Sequence, residues 1–285
     1  MSLRAEVNQD WSARLGAAGL ERIEDLLDAA KPHGLRGSLE VLSKPGLAGR
    51  ERWRWSLDAP GDAATLFVKR YARPGLRAQW DRAWRQAPRR SRAWWEFAQS
   101  RRLAEAHVGA ARAVAYAERM CGPYELGSAV LFQAARGEAL DRAWRRLADA
   151  GAPITRGAAR RDLIVRLARF VAAFHNAGVC HRDLYLCHVF ADLDAQAERP
   201  PRFELIDLGR AHRPAWRRTR WIIKDLAQLD ASARQARATR ADRLRFLCAY
   251  LGLAPRAARL RWYARRVARK SDWILAREAR KRLAR

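Results

Sequence analysis

The spacing of apolar residues changes character along the chain. Between residues 10 and 30, Trp11, Leu15, Leu20, Ile23, Leu26 and Leu27 recur at intervals that predict an N-terminal helical segment. Three strand-like stretches follow between residues 38 and 72, namely Leu39-Glu40-Val41-Leu42, Arg52-Trp53-Arg54-Trp55 and Thr65 to Tyr71, the last rich in β-branched and aromatic residues. Residues 93–103 return to helical spacing, and Val114 to Ala117 and Ser128 to Gln133 read as two more strands. Beyond them helices dominate. The clearest spans residues 157–177, where Leu163, Ile164, Leu167, Phe170, Val171 and Phe174 share a face and Gly178 supplies a stop. Strands early and helices late predict an α+β chain in four parts: an N-terminal helical segment (1–34), a small β-rich lobe (35–136), a mostly helical lobe opening at Gly137 (137–254) and a C-terminal helical segment (255–285).

Composition narrows this picture. At 285 residues with 49% hydrophobic content, the chain is long enough for one two-lobed unit. Met1 to Asp10 lacks the apolar core of a signal peptide, and no window approaches 18 uninterrupted apolar residues, so a cytoplasmic location is expected. The four cysteines, Cys121, Cys180, Cys187 and Cys248, are too scattered for a secreted disulfide framework. The net charge of +27 has two readings: an anionic partner, whether nucleic acid, an acidic membrane surface or phosphorylated lipopolysaccharide, or a coding bias, since 51 of the basic residues are arginine and the chain is rich in alanine, as GC-rich coding gives. Residues 255–285 carry twelve Lys or Arg against two acidic residues, interleaved with Leu260, Trp262, Tyr263, Val267, Trp273, Ile274 and Leu275. This is the pattern of a basic amphipathic helix, which either lies on a membrane or packs its apolar stripe on the domain.

The chemistry is concentrated in His181-Arg182-Asp183-Leu184-Tyr185-Leu186-Cys187-His188 and in Ile206-Asp207-Leu208-Gly209. These have the spacing of a kinase catalytic loop and of the turn that presents a metal-binding aspartate. Phosphoryl transfer asks a protein mainly to position the acceptor hydroxyl and to neutralise phosphate charge. Asp183 is then the catalytic base, with His181 and Arg182 as structural support. Asp207, 24 residues later and preceded by the strand-like Phe203 to Ile206, and His188, at the position more often held by Asn, are the candidate ligands of Mg²⁺. Gly209 is expected to permit the turn.

Upstream, the same chemistry requires a lysine on a strand and a glutamate on the following helix. Lys69 lies inside an apolar run, where a lysine is costly without an anionic partner. Only six of the 57 basic residues are lysine, so its presence there argues for a compact ammonium on phosphate. Glu96, flanked by aromatic residues, is the expected partner. Gly46 and Gly49, in Lys44 to Gly49, stand where a phosphate-covering hairpin would be; they either join Lys69 and Glu96 as candidate ATP-binding residues or are ordinary turn glycines. Asp225 either holds the catalytic loop or is a charge at a helix N-terminus.

With these motifs in hand, HRDLYLCHVF, IDLGRA and Arg220 to Leu226 resemble the lipopolysaccharide kinase family, most closely its core heptose kinases, over roughly residues 35–230. The resemblance implies a bilobal protein-kinase-like fold, ATP and Mg²⁺, and phosphorylation of a sugar hydroxyl of the lipopolysaccharide inner core at the cytoplasmic face of the inner membrane. It also implies histidine at the metal position. An alternative acceptor is Kdo, another small molecule or a protein, although no Ala-Pro-Glu segment follows Asp207. An alternative of another class is a non-catalytic kinase-like protein that binds nucleic acid or a membrane through its basic surface.

Overall fold

Backbone pairing in the first part of the chain produces a six-stranded antiparallel sheet in the order β1-β5-β6-β4-β3-β2. Its strands are β1 (Ser2–Val7), β2 (Ser38–Val41), β3 (Arg50–Leu57), β4 (Ala64–Ala72), β5 (Ala113–Cys121) and β6 (Tyr124–Gln133). The computed structural model describes residues 1–28, 34–42, 49–57, 64–193 and 201–283, and the chain divides into two units, Met1–Glu105 with Ala111–Ala134, and Ala106–Ala110 with Ala135–Arg285. Side chains alternate across the sheet, so each strand serves two faces. Leu66 and Val68 of β4, with Trp53 and Trp55 of β3, join the core made by Trp11 and Leu15 of helix α1 (Gln9–Ala17) and by Ile23, Leu26 and Leu27 of a 3₁₀ turn. Lys69 and Tyr71 therefore point to the opposite face, which is covered by helix α3 (Arg92–Glu105). Phe97 of α3 and Tyr116 of β5 meet there with ring centroids 4.9 Å apart.

Two features differ from the sequence reading. The segment 1–34 is not wholly helical, because Ser2–Val7 is an edge strand paired with β5 in the register Val7 opposite Ala115. Its residues are mostly exposed or half-buried, so no apolar alternation marks it, and the open edge of β5 supplies the pairing instead.

The second is helix α2 (Leu76–Arg85), which reads inside-out. Leu76, Trp80 and Trp84, one face at i, i+4 and i+8, are exposed, whereas Gln79 and Arg82 are buried. Arg82 is only 3% exposed, and its guanidinium donates to Gln79 Oε1 and to the carbonyls of Ala87, Pro88, Arg90 and Pro123. It also lies 3.6 Å from Glu125, a fully buried carboxylate that accepts from Arg92 and Ser128. Gln79 and Glu125 exchange two further bonds, from Gln79 Nε2 to the Glu125 carbonyl at 2.8 Å and from the Glu125 amide to Gln79 Oε1 at 3.1 Å. A polar face is thus the buried face. Periodicity of apolar residues cannot find such a helix.

The second unit is mostly helical: α4 (Leu140–Asp149), α5 (Gly157–Asn176), α6 (Arg218–Gln235), α7 (Arg240–Leu251) and α8 (Ala258–Leu283). A small antiparallel sheet of β7 (Glu138–Ala139), β8 (Val189–Ala191) and β9 (Phe203–Leu205) accompanies them. Gly137 has φ +74°, and a Cβ there would meet Ala191 O at 2.3 Å, so only glycine lets the chain enter β7 this close to β8. Helix α5 runs through the core on Leu163, Leu167, Ala168, Val171 and Phe174. Helix α8 packs on α6, burying Leu260, Tyr263, Val267 and Ile274, while Trp262 and Trp273 stay partly exposed off that stripe. The apolar walls of α5, α6 and α7, among them Leu163, Leu167, Leu229 and Phe246, line a cavity of about 580 Å³.

If the buried polar face of α2 carries its docking, Arg82→Ala takes away one of the two cations beside Glu125 and the donor to the carbonyls of Ala87, Pro88, Arg90 and Pro123, and lowers unfolding free energy by about 3 kcal/mol. Trp80→Ser on the outer face changes it by less than about 0.5 kcal/mol. Urea unfolding of both variants checks this, and equal losses would refute the inside-out assignment.

Candidate active site

In the β-rich unit the site is a buried charge pair. Lys69, on the α3-facing side of β4, places Nζ 2.7 Å from Oε2 of Glu96, which is completely buried. Tyr71, two residues along the same strand face, donates its hydroxyl to Oε1 of Glu96. Nζ also lies 5.2 Å from the Phe132 ring centroid. Both oxygens of Glu96 are thus engaged, which fixes the ammonium in one place. Gly49, in the turn just before β3, has φ +73° and its carbonyl accepts from the Ala72 amide at 2.9 Å, a backbone conformation that favours glycine. Gly46 lies outside the described residues.

In the helical unit the catalytic-loop sequence is hung on helix α6. Asp225, two turns into α6 and fully buried, accepts the amides of His181 at 2.6 Å and Arg182 at 2.7 Å. It is therefore not a first-turn charge. His175 Nε2 lies 3.3 Å from the same carboxylate, and its Nδ1 is 2.8 Å from the Tyr250 hydroxyl. Arg182 adopts a left-handed backbone (φ +69°), an uncommon conformation for a residue with a side chain, and Lys224 donates to its carbonyl at 2.8 Å. Cys180 and His212 close the loop base with two backbone bonds of 2.9 Å. Burial pushes the Cys180 thiol up to about 12, so it remains a neutral thiol.

This frame presents Asp183 at the surface, with its side chain a quarter exposed. Arg210 donates to Oδ2 at 2.9 Å and Oδ1 at 3.3 Å, and Gln228 Nε2 to Oδ1 at 3.4 Å. The Asp183 carbonyl accepts from Nδ1 of His188 at 2.7 Å, which fixes the orientation of the ring. His181 stacks on His188 with centroids 5.8 Å apart, and its Nε2 donates to the Ile206 carbonyl at 3.0 Å. Burial lowers the His181 pKa, so this ring is a neutral brace of the loop. Burial acts on His188 in the same sense, but its hydrogen bonds to Cys187 and to the Asp183 carbonyl, with the neighbouring Asp207 charge, raise it to about 9. The turn after β9 differs from expectation. The left-handed residue is Asp207 itself (φ +60°), and Gly209 lies within the 3₁₀ turn Leu208–Arg210 that follows.

Sequence reasoning missed Tyr71, His175, Arg210, Lys224 and Gln228. Tyr71 follows Lys69 at the two-residue strand period and Arg210 adjoins the Asp-Leu-Gly turn, so both carried a local signal. The other three are brought to the loop by α5 and α6, and no local pattern marks them.

The ordered lysine, glutamate and two aspartates on a β-rich and a helical unit define the protein-kinase-like class of fold. Residues 48–250 match the lipopolysaccharide kinase (Kdo/WaaP) family, and the chain belongs to that family. It is 37% identical over 160 residues to the lipopolysaccharide core heptose(I) kinase WaaP of Pseudomonas aeruginosa, covering 54% of this chain and 58% of that protein. It is 38% identical over 95 residues to the enzyme of the same name from Escherichia coli K12, covering 33% and 36%. The chain thus aligns with a little over half, or about a third, of these relatives' lengths. A solved structure of WaaP in complex with acyl carrier protein superposes with a TM-score of 0.63 at 28% identity, covering 94% of this chain and 99% of that one.

Removing the Asp225 carboxylate leaves two buried amides without an acceptor. Asp225→Ala should cost about 3 kcal/mol or more of stability and should speed hydrogen exchange at the His181 and Arg182 amides. Wild-type protection of those two amides would contradict the anchoring role.

Proposed function

We propose that the chain is an ATP-dependent kinase that phosphorylates a heptose hydroxyl of the lipopolysaccharide inner core. The observation that carries this reading is Asp183, held on a loop whose backbone is fixed by Asp225 and whose carboxylate is left partly open to solvent. In the proposed reaction the acceptor hydroxyl gives its proton to the Asp183 carboxylate as its oxygen bonds the γ-phosphorus. The bond from that phosphorus to the β,γ-bridging oxygen breaks, and ADP carries away the electron pair. Arg210 and Gln228 hold the carboxylate in one orientation. Lys69, kept in place by Glu96, neutralises phosphate charge, a task for which a compact ammonium is suited.

Asp207 and His188 fit a cation site: a carboxylate stands beside an imidazole whose Nδ1 is committed to a carbonyl, which orients the ring. These two residues would hold Mg²⁺, which when bound supplies charge neutralisation on the transferring phosphates.

Location at the cytoplasmic face of the inner membrane is also proposed. No described helix is long and apolar enough to cross a membrane. The exposed Leu76, Trp80 and Trp84 of α2, flanked by Arg73, Arg77, Arg85 and Arg89, have instead the make-up of an interfacial anchor on anionic lipid. Acyl carrier protein is proposed as a protein partner on the strength of the 94% coverage by the solved complex.

Asp183→Asn should abolish ADP formation on heptose-bearing lipopolysaccharide while ATP affinity changes less than about threefold, because the residue faces the acceptor and not the nucleotide. Full turnover in that variant would overturn the assignment. For the membrane, the double variant Trp80→Ser/Trp84→Ser should co-sediment severalfold less with vesicles containing phosphatidylglycerol. Undiminished binding would exclude α2 as the anchor.

A further inference from the structure

Helices α6 and α8 are packed together along their apolar stripes, but beside that seam they enclose a groove of about 1050 Å³ with a different lining. From α6 come Arg220, Trp221 and Lys224, and from α8 come Trp262, Arg266, Arg269, Lys270 and Trp273. These five cations are joined in the lining by Arg217 and Arg265, seven in all. Among the described residues none of these five side chains lies within ion-pair distance of a carboxylate. The two acidic residues of α8 do not relieve them: Asp272 is taken by Arg234 at 2.6 Å and Glu278 by Gln235 at 2.9 Å. Four of the five rest on aromatic faces instead, Arg266 4.2 Å above Trp262, Lys270 3.7 Å above Trp273, and Arg220 and Lys224 each 5.9 Å from Trp221.

Like charges gathered in a concave surface repel one another and raise the local concentration of anions. Such a groove is complete only with an anionic ligand. The indole faces add flat apolar surface, which suits the less polar face of a sugar ring better than it suits a bare phosphate. The groove also has a direction, because Lys224 at its α6 side donates to the carbonyl of Arg182, the residue next to Asp183. Burial, then the charges of Arg210 and Arg182, push the Lys224 pKa down, as expected for cations crowded toward one end.

We infer that this groove is the acceptor site, binding an acidic glycan whose phosphate or carboxylate groups pair with Arg220, Arg266, Arg269 and Lys270 while a sugar ring lies on Trp262 or Trp273. The inference rests on the kinase reading of Asp183 and adds where the acceptor lies and what recognises it.

The test uses the full chain and the triple variant Arg266→Ser/Arg269→Ser/Lys270→Ser, with the deacylated oligosaccharide of lipopolysaccharide as probe. Loss of three charge-assisted contacts should raise the KM for that oligosaccharide at least tenfold, with kcat at saturation and the KM for ATP changed less than about twofold. An unchanged acceptor KM overturns the inference. Calorimetric titration of the oligosaccharide without ATP separates the two readings. If the wild type never turns over yet binds the oligosaccharide, and the variant does not, the groove assignment stands while the kinase reading falls. If the variant loses only its binding to phosphatidylglycerol vesicles and keeps that for the oligosaccharide, the groove is a lipid-headgroup site and the inference is wrong.

Discussion

The helical unit is organised around a carboxylate that serves backbone and not side chains. Asp225 reaches from the interior of α6 to two consecutive amides, those of His181 and Arg182, in surroundings from which water is excluded. A buried amide without an acceptor costs about 1–3 kcal/mol, so the loop can leave α6 only by exposing two such groups. That penalty maintains the left-handed backbone at Arg182, turns the next residue outward, and so aims Asp183. His175 and Tyr250 close the opposite side of the same carboxylate, tying α5 and α7 to the geometry. The orientation of Asp183 is therefore set by packing among three helices.

The β-rich unit solves its own problem with the same means. Glu96, Glu118 and Glu125 are all fully buried, and each is met by a cation: Lys69 at 2.7 Å, Arg90 at 2.6 Å and Arg92 at 3.1 Å. The division of labour among the cations is informative. Where the carboxylate anchors a chain segment, the partner is arginine, whose several donors can also satisfy carbonyls, as Arg82 does around residues 87–90. Where the proposed chemistry needs a single compact positive charge, the partner is lysine. Much of the arginine content is structural in this unit, and so the composition alone overstates how much of the charge is available to a ligand.

How much could be read from the chain follows from the range of each interaction. Lys69, Glu96, Asp183 and Asp207 stand in local patterns, a strand, a helix and two turns, and α5 announces itself by its apolar period. Strand β1 carries no such period because its partner's open edge decides its conformation. Helix α2 carries an inverted one, since Gln79 and Arg82 face inward. Asp225 left two readings open because only the fold shows which amides it faces, and Arg210 was passed over although it adjoins the turn. The glycine expected to make the turn after β9 is not the left-handed residue. Asp207 takes that conformation itself, which an aspartate tolerates better than most residues.

Charge distribution, finally, separates mutational bias from function in a way that total charge cannot. A bias toward arginine codons explains why 51 of 57 basic residues are arginine, and it would act on every surface alike. It does not explain why carboxylates accompany the arginines of the β-rich unit yet are missing among the described residues around the groove of α6 and α8. The two acids of α8 point to α6 polar partners, so the helix seam is balanced while the groove beside it is not. An imbalance on a concave surface that is lined with indoles and adjoins the loop that carries Asp183 is a property of that surface. It is better accounted for by a ligand's charge than by the composition of the chain.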